Sequence, residues 1–172
     1  MSALSVWHYG LTVRNLDQSV KFYTLVLGFT VRHIQVQENE YTSTMLGHEA
    51  ASITIAQLVL PGAPIGASGH HIELIEWTRP RGWSSPLRDF PEITTAHLAV
   101  AVADLPGVLE RARTFGCGPH SDVQDITAGI NKGGRVVFLR DPDGAWLELI
   151  EPPSVAGTPE PMLPTVDSRP TS

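Results

Sequence analysis

Two segments of the chain, HHIELIEW at residues 70–77 and AWLELIEP at 145–152, share the word ELIE. This echo constrains the fold more than any other feature, because a duplicated segment points to a duplicated structural unit. The echo extends to the unit starts. WHYGLTVRNLD aligns with AHLAVAVADL, which sets His8 opposite His97. The two histidines lie 89 residues apart, whereas Glu73 and Glu148 lie 75 apart, so the first unit is longer by 14 residues between its His and its Glu. That surplus is expected around 37–50 and 61–69.

Periodicity and punctuation give each unit the same order, β-α-β-β-β. In the first unit SVWHYGLTV (5–13) reads as a strand, rich in β-branched and aromatic residues. The period then changes, and Val20, Phe22, Tyr23, Val26 and Leu27 form an apolar stripe at helical spacing. Asn15 or Asp17 can cap that helix and Gly28 can end it. FTVRHIQVQ, ASITIAQLVLPG and HHIELIEW supply the remaining strands. A linker is expected over 78–92, which contains Pro80, Pro86 and Pro91. The second unit restarts with TTAHLAVAV, continues with a helix capped by Asp104 and ended by Gly116, and closes with GRVVFLR, the turn DPDG and AWLELIEP. A short strand is also expected near 120–125. The domain plan is thus 5–77, a 78–92 linker, 93–152, and a proline-rich extension over 153–172 that has no periodicity.

The bulk properties narrow the function classes. A net charge of −6 argues against a nucleic-acid footprint. No run of apolar residues approaches the roughly 18 that a membrane span needs. The start, MSALSVWHYG, does not read as a secretory signal, and Cys117 as the only cysteine permits no intrachain disulfide. A soluble, cytoplasmic protein with a small-molecule substrate is expected.

Each unit places a His on its first strand and a Glu on its last. A carboxylate in the middle of an apolar strand is costly unless it is paired or bound to a cation. Here that oddity occurs twice, at equivalent points. His8, Glu73, His97 and Glu148, if they converge, form a site of two imidazoles and two carboxylates, suited to a divalent ion with positions left for water or substrate. Glu76 and Glu151 fall on the opposite strand face, towards solvent or a helix. His71 lies two residues before Glu73 on the same face and is a candidate substrate contact. The unpaired histidines His33, His48, His70 and His120 read as surface or pocket-edge residues.

The stretches HYGLTVRNLDQSVKFYTLVLGF, HLAVAVADL and FLRDPDGAWLELIEP resemble the vicinal oxygen chelate superfamily, over about residues 5–152. The resemblance implies an α+β fold in which two β-α-β-β-β modules form a cupped mixed sheet, and it implies a homodimer. It carries the metal positions onto His8, Glu73, His97 and Glu148. A ligand from both carboxylates resembles the glyoxalase I and methylmalonyl-CoA epimerase branch, a divalent-metal-dependent isomerase or lyase working through an enolate. The metal would be Mn2+, Co2+, Ni2+ or Zn2+. Glu148 is then the first candidate for the base, with Glu73 able to serve on the opposite face of the substrate. The Gly-rich stretch TAGINKGGR (127–135) offers Lys132 and Arg135 to a substrate anion. Two other readings follow from the same resemblance: an extradiol-type ring-cleaving dioxygenase with Fe2+ at the site, and a non-enzymatic drug-binding protein.

Overall fold

The computed structural model describes residues 5–66, 68–83 and 87–153. The 153–172 extension thus lies outside the described residues apart from Pro153, as do residues 84–86 of the linker. The first unit comprises β1 (Tyr9–Val13), α1 (Leu16–Leu25), β2 (Thr30–Gln37), α2 (Glu40–Leu46), β3 (Ser52–Val59) and β4 (Ile72–Arg79). The second comprises β5 (His97–Ala101), α3 (Leu105–Arg113), β6 (Gln124–Asp125), β7 (Arg135–Arg140) and β8 (Trp146–Glu151). Each unit forms one four-stranded mixed sheet, in the orders β1-β4-β3-β2 and β5-β8-β7-β6. In both, the first strand runs parallel to the last and the other pairs are antiparallel. This is the expected α+β architecture of two repeated modules. The boundaries differ slightly: β1 begins after His8, and β4 runs two residues into the expected linker.

The repeat holds at the level of register. Gly10 faces Glu73 across β1 and β4, and Ala99 faces Glu148 across β5 and β8. In both modules the residue two beyond the His therefore stands opposite the Glu. The helix starts match too. Asn15 accepts from Gln18 N, and Asp104 accepts from Gly107 N, each satisfying an amide that the helix itself leaves free. Part of the 14-residue surplus is α2, which the sequence did not announce. Its residues, EYTSTML, are mostly polar and short of an apolar stripe, and only Thr42 is buried. Its ends are nevertheless well marked, by the Asn39 cap and by Gly47 at φ 69°.

The doubled ELIE now has a physical explanation. Glu76 Oε2 accepts from Leu16 N at 2.8 Å, and Glu151 Oε1 accepts from Leu105 N at 3.1 Å. The second glutamate of each ELIE thus reaches across to the first turn of its own module's helix, where a negative charge is favoured. The backbone N–H of Leu105, with Arg135 beside it, holds the Glu151 carboxyl below the usual carboxylate range.

The helix-bearing faces of both sheets share one core. Leu58, Ile72 and Leu74 meet Leu139, Leu147 and Leu149 through Phe22 and Tyr23 of α1 and Leu105 and Leu109 of α3. Burying each such side chain contributes about 1.5–3 kcal/mol. Polar links cross the same seam. Tyr23 donates to Asp141 Oδ2 at 3.0 Å, and Asp141 Oδ1 accepts from Asp143 N and Ala145 N. Asp143 accepts from Arg14 N and from Ser19 Oγ. The DPDG turn therefore fastens the modules together as well as reversing the chain. Burial pushes the Asp141 carboxyl up, and burial together with Asp141 pushes the Tyr23 phenol up, so the phenol remains a donor at neutral pH. Because the helix-bearing faces are used against each other, the opposite faces, which carry Glu73 and Glu148, turn away from the core. Among the described residues no helix is long and apolar enough to cross a membrane.

Candidate metal and active site

On the open face of the first sheet, His8 Nε2 lies 3.5 Å from Glu73 Oε2. His70 Nε2 lies 3.3 Å from the other oxygen, Oε1, and Gln57 Nε2 donates to that same Oε1 at 3.1 Å. Gln57 reaches it because β3 sets Gln57 directly opposite Glu73. The His8 and His70 rings stack at 4.8 Å. Among the described residues this is the one group of three whose ligand atoms all lie within 4.8 Å of one another.

The second sheet repeats the pair and not the surroundings. His97 Nε2 lies 3.1 Å from Glu148 Oε2. Opposite Glu148 stands Phe138 instead of a glutamine. The Phe138 ring meets the His97 ring edge-on at 5.5 Å, and Phe90 from the linker lies 6.3 Å from His97. Trp146 packs under Phe90 and Arg140. Among the described residues His97 is the one polar partner of Glu148. The four expected ligands thus form two half-sites in the chain, His8 with Glu73 and His97 with Glu148.

The residues fit a divalent ion. Two donors each about 2.1 Å from one ion stand about 3.0–3.4 Å apart at octahedral or tetrahedral angles. The His–Glu separations in both half-sites fall at or near that spacing. His8 Nδ1 and His70 Nε2 are buried and have no hydrogen-bond partner. Buried polar atoms left in that condition are rare, and of the two, His70 Nε2 is the one that lies beside Glu73, at 3.3 Å.

Three sequence expectations need correction. His71 does not face Glu73: its Nδ1 accepts from Leu60 N at 3.0 Å and its Nε2 sits 2.7 Å from Pro64 O, so both ring nitrogens staple the 61–69 loop. Arg135 does not face the site either. It pairs with Glu151 on the helix side of the sheet, its Nε donating to Oε2 at 2.6 Å. Conversely His70, read as a surface or pocket-edge histidine, is only 2% exposed and joins the site. Strand alternation misjudged the His pair because β4 begins at Ile72, so residues 70 and 71 obey the loop and not the pleat. Lys132 is exposed, in the Gly129–Gly133 turn.

The chain is similar to known proteins in sequence and in fold. The family model described as Glyoxalase/Bleomycin resistance protein/Dioxygenase superfamily matches residues 5–149. A 2-epi-5-epi-valiolone epimerase from Actinomyces sp is 34% identical over 91% of this chain and 83% of its own length. A lactoylglutathione lyase from Haemophilus influenzae is 33% identical over 86% of this chain and 93% of its own. Among solved structures, a glyoxalase family protein from Bacillus cereus superposes with a TM-score of 0.74 at 18% identity, covering 90% of this chain and 97% of that one, which is a likeness of fold.

Proposed function

The chain belongs to the glyoxalase/bleomycin resistance protein/dioxygenase superfamily, and on that premise we propose that it is a divalent-metal-dependent isomerase or lyase. Its reaction moves a proton on a carbon beside a carbonyl in a small oxygen-rich substrate. The observation that supports this reading is the doubled His–Glu pair, placed at the same register on the open face of each sheet. The donor set suits Mn2+, Co2+, Ni2+ or Zn2+.

The complete site forms between two copies of the chain. The half-sites face away from the intramolecular core and stay apart in one chain, so four ligands on one ion require a second copy. A twofold dimer brings His8 and Glu73 of one protomer to the partner subunit's His97 and the partner subunit's Glu148, and does so twice. The exposed β2 edge, with Ile34 and Val36 more than half exposed, is the kind of surface that such an assembly covers.

A bound divalent ion supplies Lewis-acid stabilisation of negative charge developing on a substrate oxygen. The chain's own carboxylates divide the remaining work. Glu73 is held by Gln57, His8 and His70 and is restrained as a ligand. Glu148 has the His97 ring on one side and the Phe138 ring opposite, so it is the carboxylate free to turn toward a substrate. Glu148 therefore takes the proton from one substrate carbon and delivers it to the neighbouring carbon, work that contributes about 10²–10⁴-fold in rate.

The test uses metal-loaded protein in D2O, offered 2-epi-5-epi-valiolone and lactoylglutathione separately, with the proton beside the carbonyl followed by NMR. Exchange of that proton with at least one compound, abolished in Glu148→Gln, is expected. A protein that binds no divalent ion, or exchange that survives unchanged in Glu148→Gln, overturns the reading.

A further inference from the structure

The two modules differ at one point that the repeat does not explain. The position equivalent to His70, 75 residues on, is Ala145. Module one therefore offers an imidazole where module two has a methyl group.

The contacts of that imidazole fix its chemistry. His70 Nδ1 lies 3.4 Å from Ser68 O, which can only accept, so Nδ1 carries the hydrogen in that contact. Nε2 then presents a lone pair. It lies 3.3 Å from Glu73 Oε1, is buried, and has no hydrogen-bond partner. A buried acceptor nitrogen without a donor beside a carboxylate oxygen is unfavourable, and a cation bound by both satisfies the nitrogen. His8 Nε2 lies 3.5 Å from the second carboxylate oxygen, with its ring stacked on that of His70. Each oxygen of Glu73 thus has one imidazole nitrogen beside it.

We propose that His70 is a third protein ligand contributed by module one, so that His8, His70 and Glu73 of a single chain bind the divalent ion, and His97 and Glu148 complete it. This inference rests on the metal-dependent reading above and deepens it. Two imidazoles and one carboxylate on one side form a three-point holder that leaves other positions open. The ion then stays with module one, and the module-two carboxylate can detach without releasing it.

Affinity alone does not separate a ligand from a residue that merely orients one, since losing an orienting partner also weakens metal binding about 10–100-fold. The deciding measurement is the number of imidazoles on the ion, from X-ray absorption of the full-length Zn2+-loaded protein. Three imidazoles are expected in the wild type, two in His70→Ala and two in His97→Ala. Zn2+ titration should show His97→Ala still binding one ion per chain, and His70→Ala binding about 10–100-fold more weakly than wild type. Two imidazoles in the wild type overturn the proposal while leaving the metal-dependent function standing, whatever the affinity of His70→Ala. No ion in the wild type overturns both. The wild-type count decides the matter even if removing a buried histidine prevents His70→Ala from folding.

Discussion

The division of the site into two half-sites predicts a specific pattern of complementation. His8→Ala damages the module-one half and His97→Ala damages the module-two half, and each variant alone should be inactive. If the site forms between chains, a mixed dimer holds one site built from both damaged halves and one built from both intact halves. Random pairing makes about half of the dimers mixed, so about a quarter of all sites is restored. The structure sets this figure, because the half-sites sit on faces turned away from the shared core and do not meet within a chain. The assay is D2O exchange activity of the two variants refolded together, compared with each alone and with wild type. Native mass spectrometry counts the mixed dimers in the same sample. Mixed dimers present with no recovered activity would refute the between-chain site, because a site held within one chain carries a defect in every molecule.

Other perturbations address different parts of the structure. Glu148→Gln should keep its ion by plasma mass spectrometry while kcat falls by about 10²–10⁴-fold; loss of the ion instead would assign Glu148 to metal retention alone. Glu73→Gln should do the reverse and lower metal content first, since Glu73 is the carboxylate restrained by Gln57, His8 and His70. Tyr23→Phe removes a buried hydrogen bond to a carboxylate between the modules. It should cost about 1.5–3 kcal/mol in urea unfolding, and a change under 0.5 kcal/mol, on the order of an ordinary surface substitution, would discount that link. The Glu151 carboxyl is held low by Leu105 N and Arg135. A lowered folded value means that its stabilisation is present above the ordinary glutamate range and is lost as pH falls through the folded value. Glu151→Gln should therefore lose less stability than wild type between neutral pH and about pH 3, as read from thermal melts.

Much of the fold was legible because duplication and period reinforce each other. The α1 and α3 starts were marked by Asn15 and Asp104, and the paired His and Glu by their equivalence alone. Helix α2 was hidden because its stability comes from its two caps and not from an amphipathic face. The sidedness of Arg135 was available in principle. It shares a strand face with Val137 and Leu139, both buried in the helix-side core, and that parity excludes it from the open face. His70 was not available in the same way, because its direction is set by the loop that precedes β4, where neither period applies. Whether the half-sites meet within one chain was also beyond the sequence, since it depends on which sheet faces pack together.

The three-residue spacing inside ELIE has a consequence for how such a chain can change. Positions 73 and 76 differ by an odd number, as do 148 and 151, so one carboxylate serves the open face and the other ties down a helix. A single-residue insertion between them would turn both carboxylates to the same side. It would at once add a second carboxylate to the open face and strip a helix of its anchor. Length can therefore drift between modules, as the α2 insertion shows, while the parity of these four residues cannot. Grafting a new substrate loop into this scaffold should succeed at 37–50 or 61–66 and fail inside either ELIE.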